Sequence, residues 1–355
     1  MSYAPSTFCE CPPIQAELDA YFATCDASLL PDPAPLNEFL WSGLNRSGIQ
    51  QQFTPSTNKL RTIILRYDQR LLESEVSEVD SCTRVCVAEK KRGDLCKEYT
   101  IDPCNKLRVS ELIDANDFRA SCLSNFDIVN KKMRLMMNAL LAKVATKMTG
   151  LVVANFGAWS SDVPVINDGG DATLVLNTLN PSSTAFNPGA AYDLAFALQQ
   201  TAYCNGAAVF AGGTFFKYAK MMESGCCSAE GLDLGDIISR FGKAVLWDRR
   251  VQAALGIDYA LAVMPKALQP VYYVANNDGI NVSLGLNVGT NYQKQVIFEP
   301  STGLPIDLTL ADDCGEVSII METVVDLKTL PIDMFAPGDY MEGVTFVNKI
   351  KVTNT

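Results

Sequence analysis

The chain has 355 residues, 48% hydrophobic and 19% charged, enough for a large core or two to three lobes and ordinary for a folded protein. It contains no histidine, which excludes Ser-His-Asp and Cys-His nucleophilic sites and histidine-containing zinc sites, leaving carboxylate, lysine or Mg²⁺ chemistry open. Its net charge of −11 argues against specific reading of nucleic acid.

Residues 1–57 are rich in Pro, Ser, Asn and Gln with little periodicity. Nothing near residue 1 reads as a signal peptide, and no stretch of the chain is expected to reach bilayer-spanning length, so folding in a cytoplasm is expected. The run LLPDPAP at 29–35 is expected to form no regular element, because proline lacks an N–H and restricts its neighbour. A segment of this composition needs a surface to lie on, and that surface is expected on another subunit.

Residues 59–108 read as extended hairpin. The β-rich stretch 60–67 (LRTIILRY) is followed by 82–88 and 95–101, which flank the turn KKRGD at 90–94. Lys90, Lys91, Arg92 and Asp94 suit either a solvated turn or a loop tip that meets acidic surface on a neighbour. Twelve cysteines include a dense group at 82, 86, 96 and 104, but the spacing fits no common zinc ribbon and free thiols are expected.

The strongest helical signal lies between about 117 and 149. Phe126, Val129, Met133, Met136, Met137, Leu140, Val144 and Met148 recur at three-and-four spacing, the pattern of one buried face. Ser124 with Asp127 offers a capping box, Lys143 and Lys147 suit the last turn, and Gly150 reads as the stop. From 151 to 290 short strands and helices alternate: strands at 173–176, 207–210, 244–247 and 259–264, helices at 192–203 and 215–222, without the regular repeat of a doubly wound sheet. Residues 295–355 are dominated by strands at 295–298, 305–310, 317–325 and 346–352.

Chemical motifs are few. No P-loop or dinucleotide fingerprint occurs. Asp312–Asp313, and Asp168 with Asp171, each have glycine close by, so turn chemistry explains them better than a metal. The group DRR at 248–250 reads as a salt-bridged helix start rather than a ligand clamp. No catalytic, cofactor-binding or metal-binding residue is assigned and no cofactor is expected.

The order of elements runs polar arm, long hairpin, long helix, compact α/β lobe, then strands. It resembles the α+β Hong Kong 97 capsid fold of tailed-phage major capsid proteins. The stretches 205–218 (NGAAVFAGGTFFKY), 241–249 (FGKAVLWDR), 263–271 (VMPKALQPV) and 298–308 (FEPSTGLPIDL) also resemble passages of that family. The resemblance implies an N-terminal arm at 1–57, an extended loop at 58–108, and a peripheral domain with spine helix at 109–175. It further implies an axial domain at 176–290 and peripheral C-terminal strands at 291–355. It implies a structural, non-enzymatic protein of the virion capsid that assembles with itself into pentamers and hexamers of an icosahedral shell. That shell would enclose double-stranded DNA without sequence-specific contacts or a membrane, with scaffolding, portal and decoration proteins as further partners. Candidate contacts between subunits are Lys90, Lys91, Arg92 and Asp94. The alternatives are a tail tube or encapsulin-like compartment and, from another class, a Mg²⁺-dependent enzyme using carboxylates.

Overall fold

The structure is a computed structural model. It describes residues 32–42, 52–55, 61–67, 95–102, 104–114, 125–177, 187, 189–201, 203, 207–223, 244–264, 267–273, 290–299, 302–313, 316–329 and 342–353.

The long helix forms, as α2 (Asn125–Val153). Its 29 residues span about 43 Å at 1.5 Å per residue. Val129, Met133, Met136, Met137, Leu140, Val144 and Met148 are all buried, as the spacing predicts, and Ile128, Ala145 and Val152 join them. Gly150 does not stop it. Val152, fully buried in the main core, gains more from one further helical turn than a mid-helix glycine costs, about 1 kcal/mol. The end comes where Asn155 donates its side-chain amide to the Leu151 carbonyl at 2.6 Å. Lys143 and Lys147 therefore lie inside the helix and not in its last turn. Contrary to expectation, Ile128–Val153 is long and apolar enough to cross a bilayer, with a mean hydropathy of 1.2. Here its apolar stripe is spent on the protein's own core.

One side of α2 is covered by a five-stranded antiparallel sheet. Its strands are β4 (Leu107–Ile113), β10 (Leu268–Tyr273), β11 (Thr290–Phe298), β12 (Pro305–Asp313) and β13 (Glu316–Thr329). The 14-residue β13 is its axis: β12 runs along one edge, while β4 and then β10 share the other. Val317, Ile319, Met321, Val325 and Leu327 turn inward with period two toward the helix. Asp312 and Asp313 are the last residues of β12, paired with Val317 and Glu316 at the end of the antiparallel β12–β13 ladder, beside the reversal expected of them.

A second, mixed sheet has the order β5–β6–β14–β9–β7–β8. These strands are β5 (Ile166–Asp168), β6 (Asp171–Asn177), β7 (Ala208–Ala211), β8 (Ala244–Trp247), β9 (Tyr259–Val263) and β14 (Val347–Thr353). Alternation divides its side chains between two cores. Ala208, Phe210, Leu261, Val263 and Val347 face the core shared with α2. Val209, Ala211, Ala260, Ala262, Ile350 and Val352 face a second core closed by α3 (Gly189–Gln200) and α4 (Gly213–Glu223). Sheet membership crosses the expected segment boundaries: β6 and β14, from 109–175 and 291–355, sit with strands from 176–290. The cross-chain return of β14 is long-range pairing that no local pattern announces.

A third sheet of three strands has the order β1 (Gln52–Pro55), β2 (Arg61–Tyr67), β3 (Leu95–Ile101). The partner of 95–101 is thus 61–67, from Arg61 opposite Ile101 to Tyr67 opposite Leu95. Residues 82–88 and the turn at 90–94 lie outside the described residues, as do Cys82 and Cys86.

The N-terminal region departs most from expectation. Residues 35–42 form a helix, α1 (Pro35–Ser42), whose Leu36, Leu40 and Trp41 are buried in the main core. Proline at the first helical position forfeits only an N–H that would have had no partner inside the helix. The arm was expected to lie on another subunit, but these eight residues fold back onto the chain's own body. Residues 1–31 lie outside the described residues.

Candidate assembly surface

The hairpin at 61–101 is fixed to the body at its base. Ile101 is buried, the Tyr99 hydroxyl donates to the Thr329 carbonyl at 3.1 Å, and Lys328 lies over the Tyr99 ring at 5.7 Å from its centroid. Past Ile101 the chain turns, with the Cys104 N–H donating to Asp102 Oδ1 at 2.8 Å, and re-enters the five-stranded sheet as β4. Lys106 pairs with Glu322 at 2.9 Å and Arg108 approaches the same carboxylate at 3.7 Å. On the helix side, Lys132 of α2 pairs with Glu111 of β4 at 2.5 Å. The hairpin is therefore continuous with the five-stranded sheet. The residues nominated as its tip contacts, Lys90, Lys91, Arg92 and Asp94, lie outside the described residues, so their place remains an expectation. Cys104 is an exposed free thiol.

The sheet face turned away from α2 is only partly open: Val324 and Asp307 are buried on it, while two large apolar side chains are exposed. Leu112 is 57% exposed on β4 and Phe298 is 52% exposed on β11. They stand on strands at opposite edges of the sheet, two separate exposed apolar positions and not one patch.

The acidic pair Asp168 and Asp171 flanks Gly169 and Gly170, whose φ values of 71° and 100° require glycine-type backbone freedom, as turn chemistry predicts. The side chains do more than the turn asks. Lys349 of β14, 8% exposed, lies 3.4 Å from both carboxylates, and Lys351 lies 3.5 Å from Asp168. Both ammonium groups also sit over the Tyr259 ring, at 5.2 and 5.1 Å from its centroid. Burial pushes the Asp168 carboxyl upward, but the Tyr259 hydroxyl and the two lysines outweigh it and hold its pKa below the usual range. The network is charge-balanced and joins the sheet's edge hairpin to its centre. Lys349→Met, which leaves Asp171 without its lysine and Asp168 with Lys351 alone, should lower stability by about 1 kcal/mol at pH 7. The lowered Asp168 pKa adds stability above the unfolded carboxyl range that is lost as pH falls through the folded value. The gap between wild type and variant in urea unfolding should therefore narrow below about pH 4.

Asp248 is the other functional surprise. It is 1% exposed and is the N-cap of α5 (Arg249–Leu255), accepting from the Arg250 and Val251 amides at 2.8 and 3.1 Å. The helix start expected at 248–250 is therefore present. The arginines pair with Asp32, Arg250 at 3.3 Å and Arg249 at 3.6 Å. A cavity of about 270 Å³ lies beside this junction, lined by residues that include Asp32, Glu38, Asn138 and Glu299. Among the described residues no group of three Cys, Asp or Glu side chains is placed to hold a metal.

No known protein family matches the sequence, and no curated protein does. Solved structures do match. A chain from Mycobacterium phage Adephagia aligns with a TM-score of 0.44 at 9% identity, covering 96% of this chain and 98% of that one. A chain from the capsid of the cyanophage P-SCSP1u aligns with a TM-score of 0.41 at 11% identity, over 87% and 90%. A chain from the mature capsid of bacteriophage PhiM1 aligns with a TM-score of 0.39 at 11% identity, over 83% and 82%. The protein is thus similar to chains from phage structures, capsids among them.

Proposed function

We propose that the chain is a structural shell subunit that assembles with copies of itself into pentamers and hexamers enclosing a phage genome. The observation that carries this reading is the way the hairpin grows out of the body: β3 runs through a pinned turn into β4, and β4 joins a sheet backed by a 29-residue helix. An extended hairpin rooted in a sheet backed by a long helix transmits force to the body of the subunit, as a shell contact must. The apolar positions Leu112 and Phe298 on the outward sheet face supply further surface to bury.

In this reading residues 1–57 are the arm, 58–108 the extended loop, 109–175 and 291–355 the peripheral domain, and 176–290 the axial domain. Residues 171–177 and 347–353 lend strands to the axial sheet. The Hong Kong 97 arrangement is the fold this division describes. Assembly takes place in the host cytoplasm, with scaffolding, portal and decoration proteins as partners, and the chain has no catalytic role. The net charge of −11 suits a container that confines DNA without gripping it.

Negative-stain electron microscopy of the purified protein should show closed shells or rings of five and six; monomers under every condition, or stacked tubes, would overturn the reading. Reversing Lys90, Lys91 and Arg92 together to glutamate should reduce shell yield while leaving the circular dichroism of the subunit unchanged. Normal shells from that variant would remove the loop tip from the contact.

A further inference from the structure

The polar junction at Asp248 holds together two helices that are distant in sequence. Besides capping α5, the Asp248 carboxylate accepts from the Leu36 amide through its second oxygen at 3.1 Å. One buried side chain thus satisfies amides at the starts of both α1 and α5, whose first turns have no partners within their own helices. Arg250, whose side chain is 10% exposed, completes the clamp by donating to the Pro33 carbonyl at 2.9 Å and to Asp32 at 3.3 Å.

α1 has no stability of its own. Eight residues are too few for a helix to persist alone, so α1 exists only while docked. Its apolar side is well engaged, with Phe39 edge-on to Phe210 at 5.4 Å and Trp41 against Tyr272 at 6.3 Å. Its other flank borders the 270 Å³ cavity, which Asn37 and Glu38 line together with Asn138, Glu299 and Thr302. Three of the groups lining that space, Asp32, Glu38 and Glu299, are carboxylates, and among the described residues none that lines it is basic, although Asp32 pairs with Arg249 and Arg250 beside it.

We propose that residues 32–42 are a strap that docks and releases as one unit, with Asp248 as its latch and Arg250 as the clamp on its leading end. Asp32 and Pro33 lead the strap, so its docking decides whether they are held beside β7 and α5 or released from the body. The proposal stands apart from the shell reading and holds whether or not the chain forms shells.

Hydrogen exchange read by mass spectrometry on the full chain tests it. In the wild type, amides of 36–42 should exchange at least about tenfold faster than those of β13. Asp248→Ala should speed 36–42 by roughly a further tenfold while β13 and β9 stay within about twofold, and Asp248→Asn, which keeps one carbonyl acceptor, should fall between. Should Asp248→Ala fail to fold, Arg250→Gln leaves the double cap intact and removes only the clamp; it should still speed 36–42 several-fold and spare β13. The strap is refuted if 36–42 and β13 accelerate together, which would make α1 part of one cooperative unit. It is equally refuted if Arg250→Gln leaves 36–42 unchanged.

Discussion

Gly212→Ala should destabilise the protein by about 3 kcal/mol or more, read as a drop in the urea midpoint, although it adds a single methyl group. Gly212 sits where β7 gives way to α4. A Cβ there would lie 2.6 Å from the carbonyl oxygens of both Gly256 and Ile257 and 2.8 Å from the Ile257 carbonyl carbon. These are backbone atoms and cannot swing aside. Moving them breaks bonds that join the two segments: Gly212 N–H to Tyr259 O at 2.8 Å and Thr214 N–H to Ile257 O at 3.0 Å. The displacement would also pull on Gln252, whose side-chain oxygen accepts from the Gly213 amide and from the Trp247 indole, each at 3.0 Å. Gly150→Ala is the matched control. Its added Cβ meets nothing within 4 Å, so it should instead stabilise α2 by about 0.5–1 kcal/mol through helix propensity. A small loss at Gly212 would mean that the β7–α4 corner can open without cost to the sheet.

The contrast between these two glycines also shows what sequence can and cannot reveal. Gly150 looks like a helix terminator by its position after the lysines, but the deciding residue is Val152, whose burial is a tertiary fact. The apolar stripe of α2 and the alternation in β13 are local periodicities, so they are legible, and both appear where expected. α1 is invisible to the same reading because its eight residues sit between prolines and polar text, and what holds them is Asp248, 212 residues away from Leu36. Asp248, Arg249 and Arg250 do read as a helix start from sequence alone. That the same carboxylate serves a second helix needs coordinates. The lysines of β14 were equally silent: a strand with Lys349 and Lys351 on one face reads as solvated, whereas the strand lies in the sheet interior and Lys349 is neutralised by a turn on a neighbouring strand.

Asn348→Asp, a change of one atom type, should cost several kcal/mol at neutral pH and make stability depend on pH in the direction opposite to that of the Asp168 network. Asn348 is fully buried in β14 and uses both ends of its amide. Its nitrogen donates to the Gly157 and Ala158 carbonyls at 3.2 and 3.1 Å, and its oxygen lies 2.6 Å from the Tyr203 hydroxyl. That hydroxyl is also 3.0 Å from the Ala262 carbonyl, and burial holds its pKa well above the ordinary tyrosine value, so it remains a donor. The amide therefore ties the loop after α2 to β14, β9 and the segment after α3, all around one buried point. A carboxylate in its place keeps the acceptor for Tyr203 but turns an oxygen toward two carbonyl oxygens, leaving them without donors and burying an uncompensated charge. The folded state would then favour the protonated acid, raising its pKa above the unfolded value of about 3.9. Between those two values the native state binds more protons than the unfolded state, so stability falls as pH rises. Urea unfolding of wild type and variant from pH 4 to pH 8 should show a gap that widens with pH. Asn348→Ala, which strands the same carbonyls without adding a charge, should show a gap that stays flat. A flat gap for Asn348→Asp as well would mean that solvent reaches the site and that the Tyr203–Asn348 junction is not a dry anchor.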